Sequence, residues 1–170
     1  MIKYRVSTRY NYLIGIDPDA DKSGVAFINV KNKKLSLYTL TFPDTLDYLK
    51  RVQHEAEVRG ATYQVIIEAG WQAKAHWHLH PKDSQQKCAA LGNAVGRNHE
   101  TGRKLCEMMT HWKINYREQH PLVKHWGKTG KEKISQNELN TIVLPQHNIA
   151  PVKQSNPETR DATLIALTGW

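Results

Sequence analysis

Short apolar segments separated by polar turns dominate the first 70 residues of the chain. Because these segments are rich in apolar and β-branched residues, we predict that they form strands. Four strands are predicted, at Tyr12–Asp17, Val25–Val30, Leu35–Thr41 and Tyr63–Glu68. The fourth, YQVIIE, is apolar enough to lie inside a sheet with both of its faces covered.

Segments with the apolar spacing of helices follow the first three strands. We predict helices at Pro43–Arg59, Ser84–His111, Lys131–Val143 and Pro157–Gly169, and a fifth strand at Lys113–Arg117. The order is three strands, helix, strand, helix, strand and two helices. It predicts an α/β fold in which a five-stranded mixed sheet, a three-strand antiparallel meander plus parallel strands, has helices on both faces.

Length and composition narrow the class of protein. The chain has 170 residues, of which 39% are hydrophobic, so we expect a single domain over 1–170 with 1–11 as a short basic extension. We find no apolar run near the ~20 residues that span a bilayer and no secretory signal, and we expect a cytoplasmic protein with no membrane partner. Its two cysteines, Cys88 and Cys106, form no CxxC pair, which argues against a thiolate zinc site or a disulfide scaffold.

The charge balance indicates what kind of partner the protein binds. Lys and Arg number 24 against 16 Asp and Glu, which gives a net charge of +8 and a pI near 9.5. Such a balance favours polyanions such as nucleic acids, through long-range attraction and counterion release. Charge alone leaves open the alternative of a soluble protein that is merely basic.

Four acidic residues stand where they can meet. Asp17 and Glu68 each end a predicted strand, and Glu158 and Asp161 lie three residues apart on the last helix. Clustered carboxylates raise one another's pKa, and hard divalent cations such as Mg²⁺ or Mn²⁺ relieve that repulsion. Two such ions can activate water against a phosphodiester. Alternatively, Asp17 belongs to a turn and the helix acids favour a helix N-terminus. That alternative explains Glu68 poorly, because an acid after an apolar run is costly unless paired.

Five motifs in the same order resemble those of RuvC-type Holliday junction resolvases, a branch of the RNase H-like nucleases. The resemblance extends from about Leu13 to Leu167. Its motifs are GIDPDADKSGVA, EAGWQAK, LGNAVGRN, VKHWGKTGKEK and RDATLIAL. It implies an RNase H-like fold and a metal-dependent, structure-selective endodeoxyribonuclease that resolves four-way DNA junctions as a symmetric homodimer.

The resemblance also implies roles for individual residues. The four acids, Asp17, Glu68, Glu158 and Asp161, match the catalytic residues that bind the metal, with two ions expected per site. Trp71 matches an aromatic residue that reaches into the opened junction, and Lys124 and Lys133 match basic residues near the scissile phosphate. The helix after the fourth strand is expected to contribute to the dimer interface.

Further residues are candidates for contact with DNA. Trp71 can stack on an unpaired base, although core packing is the alternative. The remaining candidates are basic, and a charge run is otherwise a solvated face. They are Lys74, Arg97, Arg103, Lys124, Lys128, Lys131 and Lys133.

The sequence departs from the pattern of these resolvases at several points. Glu158 stands where an aspartate is usual, Asp19 stands where a glycine is common, and HWHLHPKD resembles an insertion. The histidines of that insertion can bind a transition metal, contact phosphate or simply be solvated. Gly92 and Gly96 lie on one helix face, where glycine is costly unless something packs closely against it.

Two other functions stay open on the sequence alone. One is an RNase H-like nuclease that acts on other branched DNA or on RNA–DNA hybrids. The other is a DNA-binding module on the same fold that has no catalytic activity.

Overall fold

Residues 9–73 and 83–170 are described by the computed structural model on which the following account rests. Lys74, nearly all of the histidine-containing insertion and the first eight residues of the basic extension lie outside the described residues. Our predictions for those segments therefore stay predictions.

One mixed sheet forms the centre of the structure. Its strands are Tyr12–Asp17 (β1), Ser23–Asn29 (β2), Lys34–Leu40 (β3), Tyr63–Glu68 (β4) and Tyr116–Gln119 (β5). Their order is β3-β2-β1-β4-β5. The first three strands form an antiparallel meander, whereas β4 pairs in parallel with both β1 and β5. The predicted mixed sheet, meander plus parallel strands, is confirmed.

Helices cover both faces of the sheet, as predicted. They are Phe42–Arg59 (α1), Gln85–His111 (α2), Gln136–Glu138 (α3), Leu144–Gln146 (α4) and Pro157–Leu167 (α5). A π-helical turn joins α3 to α4, and a 3₁₀ turn follows β4. Within the described ranges, every helix is too short or too polar to cross a membrane.

The alternation of side chains along β1 divides the interior into two cores. Ile14 and Ile16 face α1 and α2 and belong to one buried cluster. Leu13 points the other way, into a second cluster with α5 and with the helical segment before it. Both faces of the central strands are therefore buried, which explains why β1 and β4 are almost continuously apolar.

Two of the predicted elements begin later in the chain than the sequence suggested. The fifth strand is Tyr116–Gln119 rather than Lys113–Arg117, because Lys113 adopts a left-handed conformation that ends α2. The helix predicted from Lys131 begins at Gln136, because Glu132 pairs with Trp126 in a β-bridge. Ser135 then caps the helix in a capping box.

Two glycines let α5 lie directly on the sheet. A Cβ at Gly15 of β1 would overlap the carbonyl oxygen of Ala162, and one at Gly24 of β2 would overlap the carbonyl oxygen of Glu158. The helix backbone therefore approaches the strands more closely than any side chain would allow. This approach fixes the height of the first turn of α5 above the ends of β1 and β2.

Substitution of Gly15 by alanine is expected to destabilise the protein by about 3 kcal/mol or more, because helix and sheet must separate. Chemical denaturation of the variant measures the loss. Gly92→Ala is the matched control, since Gly92 lies in α2 with open space around it and the same change favours a helix there. Equal stability of Gly15→Ala and wild type would contradict the close packing of α5.

Candidate active site

The carboxyl ends of β1 and β4 place two acids side by side. Ile16 pairs with Ile67 in the parallel ladder, so Asp17 and Glu68 follow at the same sheet edge. Neither carboxylate is fully exposed. The sequence prediction that both strand ends meet is therefore confirmed by the register of the sheet.

The first turns of α5 bring two more acids to this edge. Asn156 caps the helix by accepting a hydrogen bond from the N–H of Thr159, and Pro157 occupies the first turn. Because Gly24 pairs with Asp17 and also contacts the backbone of Glu158, the helix begins above the end of β1. Asp161, one turn further, has a side chain that is 21% exposed.

The protonation equilibria show that these acids influence one another. Burial, and then the charges of Glu68 and Asp161, raise the pKa of Asp17 to about 8, with a smaller contribution from Glu158. Burial followed by the charge of Asp161 also raises the pKa of Glu68, against the opposing hydrogen bond from the backbone of Leu122. The site therefore concentrates negative charge where solvent stabilises it poorly.

Lys133 supplies a positive charge to the cluster. Its ammonium nitrogen lies 2.8 Å from Oδ2 of Asp161. Partial burial lowers the pKa of Lys133, but the hydrogen bond to Asp161 and the charges of Asp17 and Glu158 outweigh burial and raise it. Lys133 is therefore the internal counter-ion of the acids.

A residue that the sequence analysis missed holds Lys133 in place. Arg160 of α5 donates from Nε to the carbonyl oxygen of Ile134 at 2.7 Å and from Nη1 to that of Ser155 at 3.2 Å. It thereby ties the backbone next to Lys133 to the helix that carries Asp161. The sequence showed that Arg160 stands next to Asp161 on a capped helix. It could not show that Arg160 binds the carbonyl oxygen of Ile134, because the two residues are 26 positions apart.

The donor set fits a hard divalent cation by its chemistry. Four carboxylates share one edge, and the raised pKa of Asp17 shows that Lys133 only partly compensates their charge. In residues 9–73 and 83–170, no group of three or more acidic, His or Cys side chains is close enough to hold one ion without some adjustment. Oδ2 of Asp161 is bonded to Lys133, and a carboxylate has a second oxygen that can accept another partner.

The turn after Asp17 is fixed to α2. Asn98 donates from Nδ2 to Oδ2 of Asp19 at 3.1 Å, and its Oδ1 accepts from the backbone N–H of Ala20 at 3.0 Å. Oδ1 of Asp19 accepts from the backbone N–H of Asp21 at 2.8 Å. Asp19, which stands where these resolvases commonly have a glycine, thus organises the turn. Arg97, predicted to contact DNA, forms an exposed ion pair in which its Nη2 lies 3.3 Å from Oδ1 of Asp21.

The predicted aromatic contact to DNA lies against α2. Trp71 is half-buried in the 3₁₀ turn after β4, and a Cβ at Gly102 would overlap its ring. The guanidinium carbon of Arg103 lies 5.8 Å from the ring centroid. Trp71 therefore packs on α2 with part of its ring still accessible, so its contact with DNA stays a prediction. Arg103 extends from this contact into solvent.

The basic loop is held from inside by carboxylates. The N–H of Gly127, which has φ of +72°, donates to Glu138 at 2.9 Å, and the hydroxyl of Thr129 donates to Glu132 at 3.0 Å. Lys124, Lys128 and Lys131 remain exposed on this anchored loop. The charge of Lys124 lowers the pKa of Glu68, which places the start of the loop near the acids.

A comparison with solved structures supports the fold. No protein-family profile matches the chain, and no curated protein is similar to it in sequence. In structure it is similar to RuvC of Thermus thermophilus in complex with a Holliday junction substrate, with a TM-score of 0.53 and 17% identity over 94% of this chain and 92% of that one. A second structure of that protein has a TM-score of 0.45 and 15% sequence identity, over 92% of this chain and 92% of that one. The chain therefore has a RuvC-like, RNase H-like fold.

The raised pKa of Asp17 predicts how the metal-free protein responds to pH. Native Asp17 keeps a proton that the unfolded chain releases near pH 3.8, so its stabilising contribution is lost as pH rises towards 8. Asp17→Asn removes this titration. In EDTA, its melting temperature relative to wild type is expected to rise by about 4 °C or more between pH 5 and pH 9. Asp21→Asn, in the exposed part of the same turn, should show no such trend. A constant difference for Asp17→Asn would contradict the burial of this acid.

Proposed function

We propose that the protein is a metal-dependent endonuclease that resolves four-way DNA junctions by phosphodiester hydrolysis. The observation that carries the proposal is the meeting of Asp17 with Glu68, Asp161 and Glu158 at one sheet edge, where burial and mutual repulsion raise the pKa of Asp17 to about 8. Strongly shifted pKa values cluster at functional sites, and a bound cation would relieve the repulsion among these acids.

The four carboxylates would hold Mg²⁺ or Mn²⁺, with two ions expected in the site. Bound ions of this kind polarise the phosphate, activate a water and stabilise the departing oxygen. The chain's own contribution is positional. Asp17 and Glu68 come from rigid strands, and α5 is clamped against them. Among the described residues, Lys133 and Lys124 lie near the acids and would hold the scissile phosphate.

Contacts with DNA are proposed for the exposed cations around this edge. Lys124, Lys128 and Lys131 project from the anchored basic loop, and Arg103 extends over Trp71 on the neighbouring helix. The RuvC structure with the same fold holds a Holliday junction. Together with the net charge of +8, this favours branched DNA as the substrate.

Cleavage of a synthetic four-way junction in the presence of Mg²⁺ tests the proposal. Wild type is expected to make paired nicks on opposing strands. Asp17→Asn and Glu68→Gln should each reduce the single-turnover cleavage rate by about 10³-fold or more, because each removes one charged ligand of the cations. Rates are measured on denaturing gels with the enzyme in excess.

Asp21→Asn is the matched control, because Asp21 lies four residues after Asp17 but pairs with Arg97 outside the acid cluster. It should cut within about twofold of wild type. Forks, flaps and RNA–DNA hybrids in parallel assays show whether the substrate is instead one of those. Cleavage that survives both Asp17→Asn and Glu68→Gln would refute the assignment.

We further propose that the protein forms a homodimer through the first half of α2. Gly92 and Gly96 lie in this half, and a Cβ at either would meet nothing within 4 Å among the described residues. The sheet does not account for these glycines, although each costs an isolated helix up to ~1 kcal/mol. A second copy that packs closely against them would account for both.

Light scattering on a sizing column should give wild type a mass of twice 19.5 kDa. Gly92→Arg is expected to shift the protein to the single-chain mass, because its side chain fills the proposed contact. Gly92→Ala, which adds only one methyl group, should weaken the dimer less than Gly92→Arg does. Wild type that elutes as a single chain at micromolar concentration would contradict this interface.

A further inference from the structure

A second basic surface lies at the end of the sheet opposite the acids. Lys31 and Lys33 are in the turn between β2 and β3, Lys34 begins β3, and Lys153 lies in the segment between α4 and α5. With Leu35, Leu37 and residues 150–154, the last three lysines line an open groove of about 540 Å³. We refer to this feature as the distal groove.

The distal groove is positively charged. Residues 30–37 and 147–155, which contain its lining, include four lysines and no acid. Among the described residues, none of the salt bridges involves any of these lysines. Three lysines that line one groove, with Lys31 in the adjoining turn, attract a polyanion, and binding of that polyanion releases its counterions.

One of these lysines is held in an unusual conformation. Lys33 has φ of +54°, in the left-handed region that non-glycine residues seldom adopt. Its ammonium lies 4.1 Å from the ring centroid of Trp170. A cation–π contact thus fixes a charge at the mouth of the groove, although glycine or asparagine would suit this backbone better.

The groove leads towards the acid cluster. Leu35, Leu37 and Thr39 alternate along the edge strand β3, so all three face the side of the sheet that α5 covers. Oγ1 of Thr39 accepts a hydrogen bond from Asn156, the cap of α5, at 2.9 Å. Thr39 and Glu158 then line the hollow beside the turn after Asp17. An elongated ligand could therefore follow β3 from the lysines to the acids.

We propose that the distal groove binds the phosphate backbone of a duplex arm of the DNA substrate. β2 extends over seven residues between the two ends of the sheet, about 20 Å at ~3.3 Å per residue. At ~3.4 Å per base pair, the groove meets the arm about six base pairs from the cleaved phosphate. This inference rests on the proposed function, because it takes the acids as the cleavage site.

Arm length provides the test. Two junctions share one core, and their arms are either about 20 base pairs long or about five base pairs closed by hairpin loops. Fluorescence anisotropy in EDTA measures binding of both, without cleavage, over a range of salt concentrations. The variant is Lys34→Gln/Lys153→Gln, which leaves Lys33 and its contact with Trp170 intact.

For the long arms, the variant should lose about two units per bound subunit from the slope of log K against log salt, one per phosphate contact, and about tenfold or more in affinity at 0.15 M salt. For the short arms, its affinity should stay within about twofold of wild type. Lys50→Gln/Arg59→Gln, which removes the same charge from α1 on the other face of the sheet, should match wild type on both junctions.

If the variant has an unchanged salt slope, or loses the same affinity on long and short arms, the proposed binding of DNA by the distal groove is contradicted. The cleavage assay in Mg²⁺ is read separately. Wild type that binds with the expected slopes but does not cut leaves the groove standing and removes the proposed nuclease function. If wild type cuts but the variant binds like wild type, the nuclease function stands and the distal groove is removed. If wild type binds no junction, both proposals are contradicted.

Discussion

The contact between α5 and two strand glycines is the constraint on which the site depends. Because Gly15 and Gly24 have no side chains, the helix backbone rests on β1 and β2, and its first turns stand directly above Asp17. Rigid elements hold functional groups more precisely than loops do. The acids of the site accordingly come from two strand ends and one capped helix.

This geometry has an electrostatic cost that the protein only partly offsets. Asp17 is buried among other carboxylates, and the compensating cation, Lys133, is bonded to Asp161 rather than to Asp17. Without a ligand, part of the cluster must therefore stay protonated near neutral pH. In the proposed function, the same imbalance would favour binding of a divalent cation, because the cation would neutralise charge that Lys133 leaves uncompensated.

Much of this arrangement could be predicted from the sequence. The apolar runs located β1 and β4, and the acids at their ends pointed to one edge because parallel strands end together. The partners of Asp19 and Trp71 could not be predicted, because Asn98 and Gly102 reach them only through the tertiary packing of α2. The late start of the helix at Gln136 had a visible signal, since Ser135 and Glu138 have the spacing of a capping box.

The bonds from Asn98 to Asp19 and Ala20 have a mechanical consequence. They join the turn after Asp17 to α2, so the proposed cutting centre and the proposed subunit contact belong to one stiff unit. A helix advances 1.5 Å per residue. In a pair of subunits, the short stretch of α2 between Asn98 and the contact at Gly92 and Gly96 would therefore help to set the spacing of the two incisions.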